Sequence, residues 1–185
     1  MRVVAGRFRG RALVAPDDMS IRPTSDRVRE SVFNILAHGV EDFTLPGARV
    51  IDLFAGTGAL GIEAVSRGAA FCLFVEEAAE ARALIRRNVE ALGLTAETRI
   101  FRRDATDLGP AGNMEPYGLA FLDPPYGKGL GEKALAGLID GNWLKPGAIC
   151  VLEEKAGLVL ALPSGLEQLD SRSWGETEVR FLRLT

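Results

Sequence analysis

The sequence predicts an α/β protein built on a doubly wound, Rossmann-like sheet of parallel strands with helices on both faces. From residue 49 onward, short apolar runs alternate with segments of helical length, which is typical of successive β-α-β units. A glycine-rich turn follows the first run, where such sheets place a ligand-binding loop. The chain has 185 residues and is 47% hydrophobic, enough for the full core of one compact domain.

The predicted elements follow one another without a linker. Thr24 or Ser25 is a suitable N-cap for a helix that reaches about Ala37 and ends at Gly39. We therefore divide the chain into an N-terminal extension of hairpin and helix, 1–40, and a domain, 41–185. The predicted strands are 49–54, 71–75, 99–102, 119–122 and 148–152, with a closing hairpin of 167–174 and 179–184. The predicted helices between them are 59–67, 78–92 and 132–139.

The tetrapeptide Asp123-Pro124-Pro125-Tyr126 stands where the fourth predicted strand ends. Two consecutive prolines end the hydrogen bonding of the strand, since neither has an N–H to donate. The Asp123 carboxylate and the Pro124 carbonyl can accept both N–H bonds of an exocyclic amine while a planar base stacks on Tyr126. These three are the predicted catalytic residues. A strand-ending turn with a solvated Asp and a packed Tyr is the alternative.

The glycine-rich turn has the spacing G-x-G-x-x-G, formed by Gly56, Gly58 and Gly61, and Glu76 ends the next strand where an acid would meet ribose hydroxyls. By spacing alone, a nicotinamide cofactor fits. Asp52 argues against it, because a carboxylate four residues before the first glycine repels a pyrophosphate but attracts the ammonium of a methionine group. S-adenosyl-L-methionine has that ammonium and no phosphate, so we predict this cofactor.

Acids at four predicted strand ends should meet at one edge of the sheet. Asp52 and the glycine backbone would orient the methionine group, Glu76 the ribose, and Asp104 the adenine amino group, although an Asp after a strand is also a common helix cap. A magnesium site for phosphoryl transfer is the alternative, but the sequence has no Walker lysine and we expect no metal. The predicted cofactor-binding residues are Asp52, Phe54, Gly56, Thr57, Gly58, Glu76, Asp104 and Ala105.

Charge is unevenly distributed along the chain. The net charge is -3, yet the first thirty residues carry seven arginines against four acids. Arginine and phenylalanine alternate in the turn of a predicted hairpin, where they could grip RNA phosphates and stack on a base. The alternatives are a solvated hairpin whose arginines oppose aggregation, and an Arg–Asp network at the start of the following helix. The predicted RNA-binding residues are Arg7, Phe8, Arg9, Arg11, Arg22 and, in a glycine-flanked loop, Lys128.

Composition restricts other functions. Cys72 and Cys150 fall on predicted strands about 14 Å apart at roughly 4.8 Å per strand, too far for a disulfide, and a single His38 leaves too few ligands for zinc. Both thiols are expected to be small buried hydrophobes. No apolar run approaches membrane-spanning length, and arginines interrupt the N-terminus before a signal-peptide core can form, so we expect a cytoplasmic protein with no membrane partner.

Two N-terminal segments carry a family resemblance: 1–13, MRVVAGRFRGRAL, and 22–36, RPTSDRVRESVFNIL. With the glycine turn and Asp-Pro-Pro-Tyr, they resemble the RsmD family of 16S rRNA guanine-966 N2-methyltransferases, which are class I S-adenosylmethionine-dependent enzymes. The likeness covers essentially the whole chain. It implies a methyltransferase sheet of order 3-2-1-4-5-7-6 with the last strand antiparallel, and methylation of guanine N2. The implied partner is 16S rRNA in an assembling small ribosomal subunit, with ribosomal proteins.

Two other functions remain open at this point. Another amino-group methyltransferase, acting on DNA adenine or protein glutamine, would share Asp-Pro-Pro-Tyr but has no reason to carry the N-terminal arginines. A non-catalytic RNA-binding protein could keep the fold, although Gly56, Gly58, Glu76 and Asp123 are all present. Cofactor binding would separate this last function from the other two.

Overall fold

A seven-stranded sheet forms the centre of the protein in a computed structural model that describes residues 1–17 and 24–185. The strands are β1 (Arg49–Leu53), β2 (Phe71–Val75), β3 (Thr98–Phe101), β4 (Tyr117–Leu122), β5 (Leu144–Lys155), β6 (Leu166–Trp174) and β7 (Thr177–Leu184). Their order is β3-β2-β1-β4-β5-β7-β6. The first five are parallel, and β7 is antiparallel to both of its neighbours, so the predicted fold class and strand order are confirmed.

Helices flank the sheet. In the described ranges they are α1 (Asp26–His38), α2 (Ala59–Ser66), α3 (Ala79–Ala91) and α4 (Leu130–Asp140), with a 3₁₀ turn at Thr95–Glu97 before β3. The α1 helix begins where the sequence predicted, because the Ser25 side chain accepts the N–H of Val28. Gly39 follows its last residue.

The largest difference from the predicted bounds is in β5, which was expected to span 148–152 and in fact spans Leu144–Lys155. Its first residue pairs with Tyr117 across a register shift, and its polar end pairs with β7, with Glu153 opposite Val179. An apolar run marks only the part of a strand that is buried on both faces. Polar ends that are held by hydrogen bonds to a neighbouring strand carry no such signal.

The parallel strands end in step with one another. Leu53 of β1 pairs with Val75 of β2 and with Leu122 of β4, and Leu122 pairs with Leu152 of β5. The residues that follow these four therefore reach one edge of the sheet together.

The N-terminal extension packs on the face of the sheet that carries α1, α2 and α3. Val3 and Leu13 are buried in one apolar core with Phe33 of α1, Ile62 of α2 and Val50 of β1. A second core, on the other face, contains the buried side of α4. The described residues of this extension thus contribute to the first core of the domain.

The predicted hairpin is present as a short paired segment. Arg2 and Ala12 form an antiparallel bridge, and the N–H of Leu13 donates to the Met1 carbonyl at 2.9 Å. Its far end is held by Asn88 of α3, whose amide oxygen accepts the N–H of Val14 at 2.6 Å. The hairpin is therefore fixed to the domain on both sides.

Glu63 of α2 is the anchor of this extension. Its carboxylate is buried and accepts the backbone N–H groups of Val4 and Ala5 at 2.9 and 3.0 Å. It also pairs with Arg29 of α1 at 3.2 Å and with Arg67 at 2.9 Å. Two cations and two backbone donors surround this acid.

Arg29 is itself fully buried and makes a second ion pair, with Asp26 at 2.9 Å. It also donates to the carbonyl oxygen of Arg2. The arginines near the start of this helix were expected either to contact RNA or to form an intramolecular network with Asp. Arg29 belongs to an intramolecular network. Arg27 is exposed.

Cys72 and Cys150 are both free and buried, with β1 and β4 between their strands, as the sequence predicted. Within 1–17 and 24–185, none of the helices combines the length and the apolar character needed to span a bilayer.

Candidate active site

A cavity of about 490 Å³ opens at the carboxyl edge of the sheet. Four acids line it: Asp52, Glu76, Asp123 and Glu153, which belong to or directly follow β1, β2, β4 and β5. Among the described residues that form its wall, there is no lysine or arginine. The cavity is therefore suited to a ligand with positive charge.

The loop between β1 and α2 turns through left-handed backbone at Phe54, Gly56 and Gly58, with φ of 55°, 58° and 80°. Gly61, in the first turn of α2, is needed for a different reason. A Cβ there would lie 2.5 Å from Cys72 Sγ, so only glycine lets the helix approach β2 this closely. The loop residues that line the cavity are Phe54, Ala55, Gly56 and Thr57.

Glu76 holds the glycine loop in place. Its Oε1 accepts the N–H of Gly56 at 2.8 Å, and its Oε2 accepts the N–H of Ala78 at 3.0 Å. A carboxylate oxygen can accept a second hydrogen bond, so both oxygens retain capacity for hydroxyl donors.

Asp52 lies beneath the same loop. It is almost fully buried, and its Oδ2 accepts the N–H of Gly61 at 3.1 Å. Burial raises the pKa of Asp52 well above its ordinary value, and the nearby charge of Glu76 raises it further. A cation in the cavity would favour its ionised form.

Asp123 and Glu153 stand next to each other, because the residues before them, Leu122 and Leu152, are register partners. The hydroxyl of Thr24 lies 3.3 Å from Asp123 Oδ2 and 3.4 Å from Glu153 Oε2. Burial raises the pKa of Asp123 well above its ordinary value, and the adjacent Glu153 carboxyl adds to the effect.

The Tyr126 side chain is fixed at its hydroxyl. This group donates to Glu153 Oε1 at 2.6 Å and lies 2.9 Å from Thr177 Oγ1. Burial is the main reason that the pKa of Tyr126 is raised, and the hydrogen bond to Glu153 contributes. Pro124 and Pro125 line the cavity beside it. The three predicted catalytic residues are thus brought together, and stacking of a base on the Tyr126 ring stays a prediction.

Three of the predicted cofactor residues do not line this cavity: Gly58, Asp104 and Ala105. Gly58 supplies backbone conformation, and Ala105 is buried in the second core. Asp104 Oδ1 accepts from the N–H and the hydroxyl of Thr106 at 2.8 and 2.7 Å, which lowers the pKa of Asp104. It caps a turn, whereas the alternative interpretation expected a helix cap, and its contact with adenine stays a prediction.

Glu153 and Thr24 are residues of this site that the sequence interpretation did not include. Glu153 could have been found, because it directly follows the apolar run of the fifth strand, as Asp123 follows that of the fourth. Thr24 had no comparable signal. It belongs to the N-terminal extension and directly precedes Ser25, the N-cap of α1.

The predicted RNA-binding residues differ in whether their side chains already have partners within the protein. Arg7 pairs with Glu97 and lies over the Phe8 ring, 4.9 Å from its centroid. Arg11 donates to a carbonyl of α3, and Phe8 packs against the first core. Arg9 and Lys128 are exposed. Arg22 lies outside the described residues.

The chain is similar in sequence to a described protein family and to proteins named as rRNA methyltransferases. A family model described as conserved hypothetical protein 95 matches residues 1–183. The chain is 42% identical over 142 residues to the putative rRNA methyltransferase YlbH of Bacillus subtilis, covering 76% of this chain and 74% of that protein. It is 38% identical over 156 residues to ribosomal RNA small subunit methyltransferase D of Escherichia coli, covering 84% and 75%.

Solved structures give the same result for the fold. The putative methyltransferase yhhF from Escherichia coli matches with a TM-score of 0.84 and 30% identity, covering 100% of this chain and 97% of that one.

Proposed function

Because the chain belongs to the RsmD family of rRNA methyltransferases, we propose that it transfers a methyl group from S-adenosyl-L-methionine to the exocyclic N2 amine of a guanine in 16S rRNA. The position that the resemblance implies is guanine 966. The observation that best supports the proposal is a cavity with an excess of acids whose wall includes Asp123, Pro124, Pro125 and Tyr126.

The residues of the cavity fit this cofactor. When bound, S-adenosylmethionine supplies an electrophilic methyl group on a sulfonium. Asp52 and the backbone of the glycine loop would hold the ammonium of the methionine group, and Glu76 would accept from the two ribose hydroxyls with its remaining lone pairs. The acids of the wall complement the positive charge of such a ligand.

The target amine would be held by Asp123 and the Pro124 carbonyl. Both accept N–H bonds, which favours a tetrahedral nitrogen whose lone pair is no longer delocalised into the guanine ring. Positioning provides most of the rate. The leaving thioether is neutral, so this chain needs no acid for it, and Asp123 has only to receive the proton that the amine loses.

On the RNA side, the cations Arg7, Arg9, Arg11 and Lys128 are all exposed. Arg7 and Arg11 would have to exchange an intramolecular partner for a phosphate. We propose that the substrate is rRNA in an assembling small subunit with ribosomal proteins bound. Such a substrate would place the enzyme in the cytoplasm.

The test uses naked 16S rRNA and small subunits from cells that lack this protein. After incubation with the protein and labelled S-adenosylmethionine, mass spectrometry of the digested RNA should find N2-methylguanosine at one position. Asp123→Ala should lower the single-turnover rate on the order of a hundredfold or more, with cofactor affinity by calorimetry nearly unchanged. Asp107→Ala, which changes an exposed acid outside the cavity, is the matched control.

Other outcomes would replace the proposal. Methylated adenine in DNA or methylated protein glutamine would indicate another amino-group methyltransferase. RNA binding without cofactor binding would indicate a non-catalytic protein. Near-normal turnover by Asp123→Ala would remove Asp123 from the chemical step.

A further inference from the structure

We propose that Asp123, Thr24 and Glu153 form a hydroxyl-bridged carboxyl pair that holds one proton and receives the proton of the target amine. Glu153 and Thr24 are positioning residues in this unit, because they act through Asp123. The catalytic part of the inference rests on the proposed function. The inference that the carboxyl pair holds one proton does not rest on the proposed function.

The geometry of the bridge accommodates one proton on the carboxyl pair. Thr24 Oγ1 lies between Asp123 Oδ2 and Glu153 Oε2, at 3.3 and 3.4 Å. The hydroxyl is close enough to donate to either oxygen, and when it donates to one of them it can accept from the other. Acceptance requires that this other carboxyl be protonated. One proton on the pair therefore satisfies every contact of the bridge.

The far side of Glu153 has the same direction of donation. Its Oε1 accepts the Tyr126 hydroxyl at 2.6 Å, and Thr177 Oγ1 lies 2.9 Å behind that hydroxyl, placed to donate to it. A proton on Asp123 Oδ2 is then compatible with both the Tyr126 bond and the Thr24 bridge.

The surrounding charges also oppose a doubly ionised pair. From β1 the acid Asp52 faces it, and from the loop after β4 and from β7 it meets the neutral hydroxyls of Tyr126 and Thr177. Arg29 of α1 reaches the Thr24 carbonyl but is engaged with Glu63 and Asp26. Two carboxyls in contact under these conditions share a proton, and the raised pKa of Asp123 agrees with this.

The pair suits the chemistry of an amine. When the nitrogen lone pair forms the new C–N bond, the methyl–sulfur bond breaks and its electron pair stays on sulfur. The nitrogen is then cationic and gives one proton to the pair, whose charge changes from minus one to zero. A doubly protonated pair could not accept that proton. The singly protonated form is therefore the active one.

The proton count is measured first, on the intact protein without RNA or cofactor. Carbon-13 NMR of labelled Asp and Glu carboxyls, followed from about pH 3 to 9, should show one wild-type carboxyl that titrates well above the ordinary range near 4. In Glu153→Gln, the titration of Asp123 should move down by about one pH unit or more, because the neighbouring acid is gone. A wild type whose carboxyls all titrate below about pH 5, or an unmoved Asp123 in the variant, overturns the proposal.

The second measurement is the pH profile of single-turnover methylation. Glu153→Gln should move the acid limb of the profile to higher pH, because the limb marks loss of the first proton from the pair, and a lone buried Asp123 ionises less readily than a pair that shares its remaining proton. Thr24→Val should move the limb in the same direction, because the ionised carboxyl loses a hydrogen-bond donor. Thr177→Val is the matched control: it removes a hydroxyl from the far end, so its rate can fall but its acid limb should stay in place. Equal displacement in all three variants would reduce Glu153 to a structural residue. If the titration is as expected but no guanine is methylated, the proposed function fails and the pair stands.

Discussion

Glu63 and the pair of Asp123 and Glu153 are acid sites of the same domain, and their partners differ in sign. Glu63 is met by Arg29, Arg67 and two backbone N–H groups. Asp123 is met by a second acid and by hydroxyls. The first site is neutralised within the chain, whereas the second leaves its charge to be shared with a proton or a ligand.

This difference separates a structural acid from a functional one more clearly than burial does. Asp52 is as buried as Glu63, but it has one N–H donor and lies near Glu76, so its pKa is raised. A carboxylate whose charge is fully compensated by cations and N–H donors of the protein attracts a cationic ligand only weakly. Asp52 and Asp123, the acids of the described residues whose pKa is raised, both line one cavity, and there they can bind a cation.

The largest effect is expected at the compensated site. Glu63→Gln leaves the buried Arg29 with Asp26 as its remaining acid, so the free energy of unfolding should fall by about 3–5 kcal/mol. Urea denaturation measures it. Glu115→Gln, which removes an exposed partner of Arg49, is the control and should cost about 0–1 kcal/mol. Similar losses in both variants would show that the Glu63 cluster is no more than another surface ion pair.

Glu76→Ala tests the acid that supports the glycine loop. It should weaken binding of S-adenosylmethionine about 10- to 100-fold, because hydrogen bonds to a charged group contribute roughly 1.5–3 kcal/mol. Calorimetry measures the affinity, and Glu77→Ala, at an exposed neighbour outside the cavity, should leave it unchanged. Unchanged affinity in Glu76→Ala would remove the ribose contact from the proposal.

Asp123→Asn should stabilise the free protein at neutral pH, in contrast to Glu63→Gln. The folded-state pKa of Asp123 is raised, so the stability associated with this carboxyl is full below its unfolded pKa near 4 and is lost as pH rises through the folded pKa. Asn does not ionise and escapes that loss. The melting temperature should rise by roughly 2–4 °C for each kcal/mol regained, and the difference should vanish toward pH 4. A difference that grows toward low pH would contradict the raised pKa.

The smallest effect concerns two arginines of the hairpin. Both are exposed, but Arg7 is paired with Glu97. If Arg9 contacts an RNA phosphate, Arg9→Ala should lower the slope of log affinity against log salt by about 0.7, and Arg7→Ala should lower it less. RNA binding across a salt series decides between them. Replacing Arg7, Arg9 and Arg11 together should lower the slope by up to about two units, and parallel lines would identify these arginines as aids to solubility.

The sequence was sufficient for the features that depend on local chemistry and strand order. Asp123, Glu76 and Asp52 were placed at one edge because parallel strands end together, and the structure has them in one cavity. Asp104 also follows a predicted parallel strand. However, β3 is an edge strand of the sheet, and the Asp104 carboxylate accepts the N–H of Thr106. Strand order alone does not distinguish an acid that faces the cavity from an acid that caps a turn after its strand.

Glu153 and Thr24 were missed for different reasons. The rule that found Asp123 applies equally to Glu153, but a strand end followed by Glu154 and Lys155 has the composition of an ordinary solvated terminus. Thr24 approaches Asp123 across 99 residues of sequence, a contact that no local pattern contains. Phe8 is the opposite case, because its place between arginines suggested exposure, whereas its ring packs against the core.

The anchoring of the N-terminal extension also sets the order in which the chain can fold. The bonds from Val4 to Glu63 and from Val14 to Asn88 close loops of 59 and 74 residues. Neither bond can form before α2 and α3 exist, because the entropy of closing such loops must be offset by contacts already made. During synthesis this segment thus emerges before the helices that anchor it, and it becomes ordered only after them. Until then, Val3 and Leu13 remain in contact with solvent.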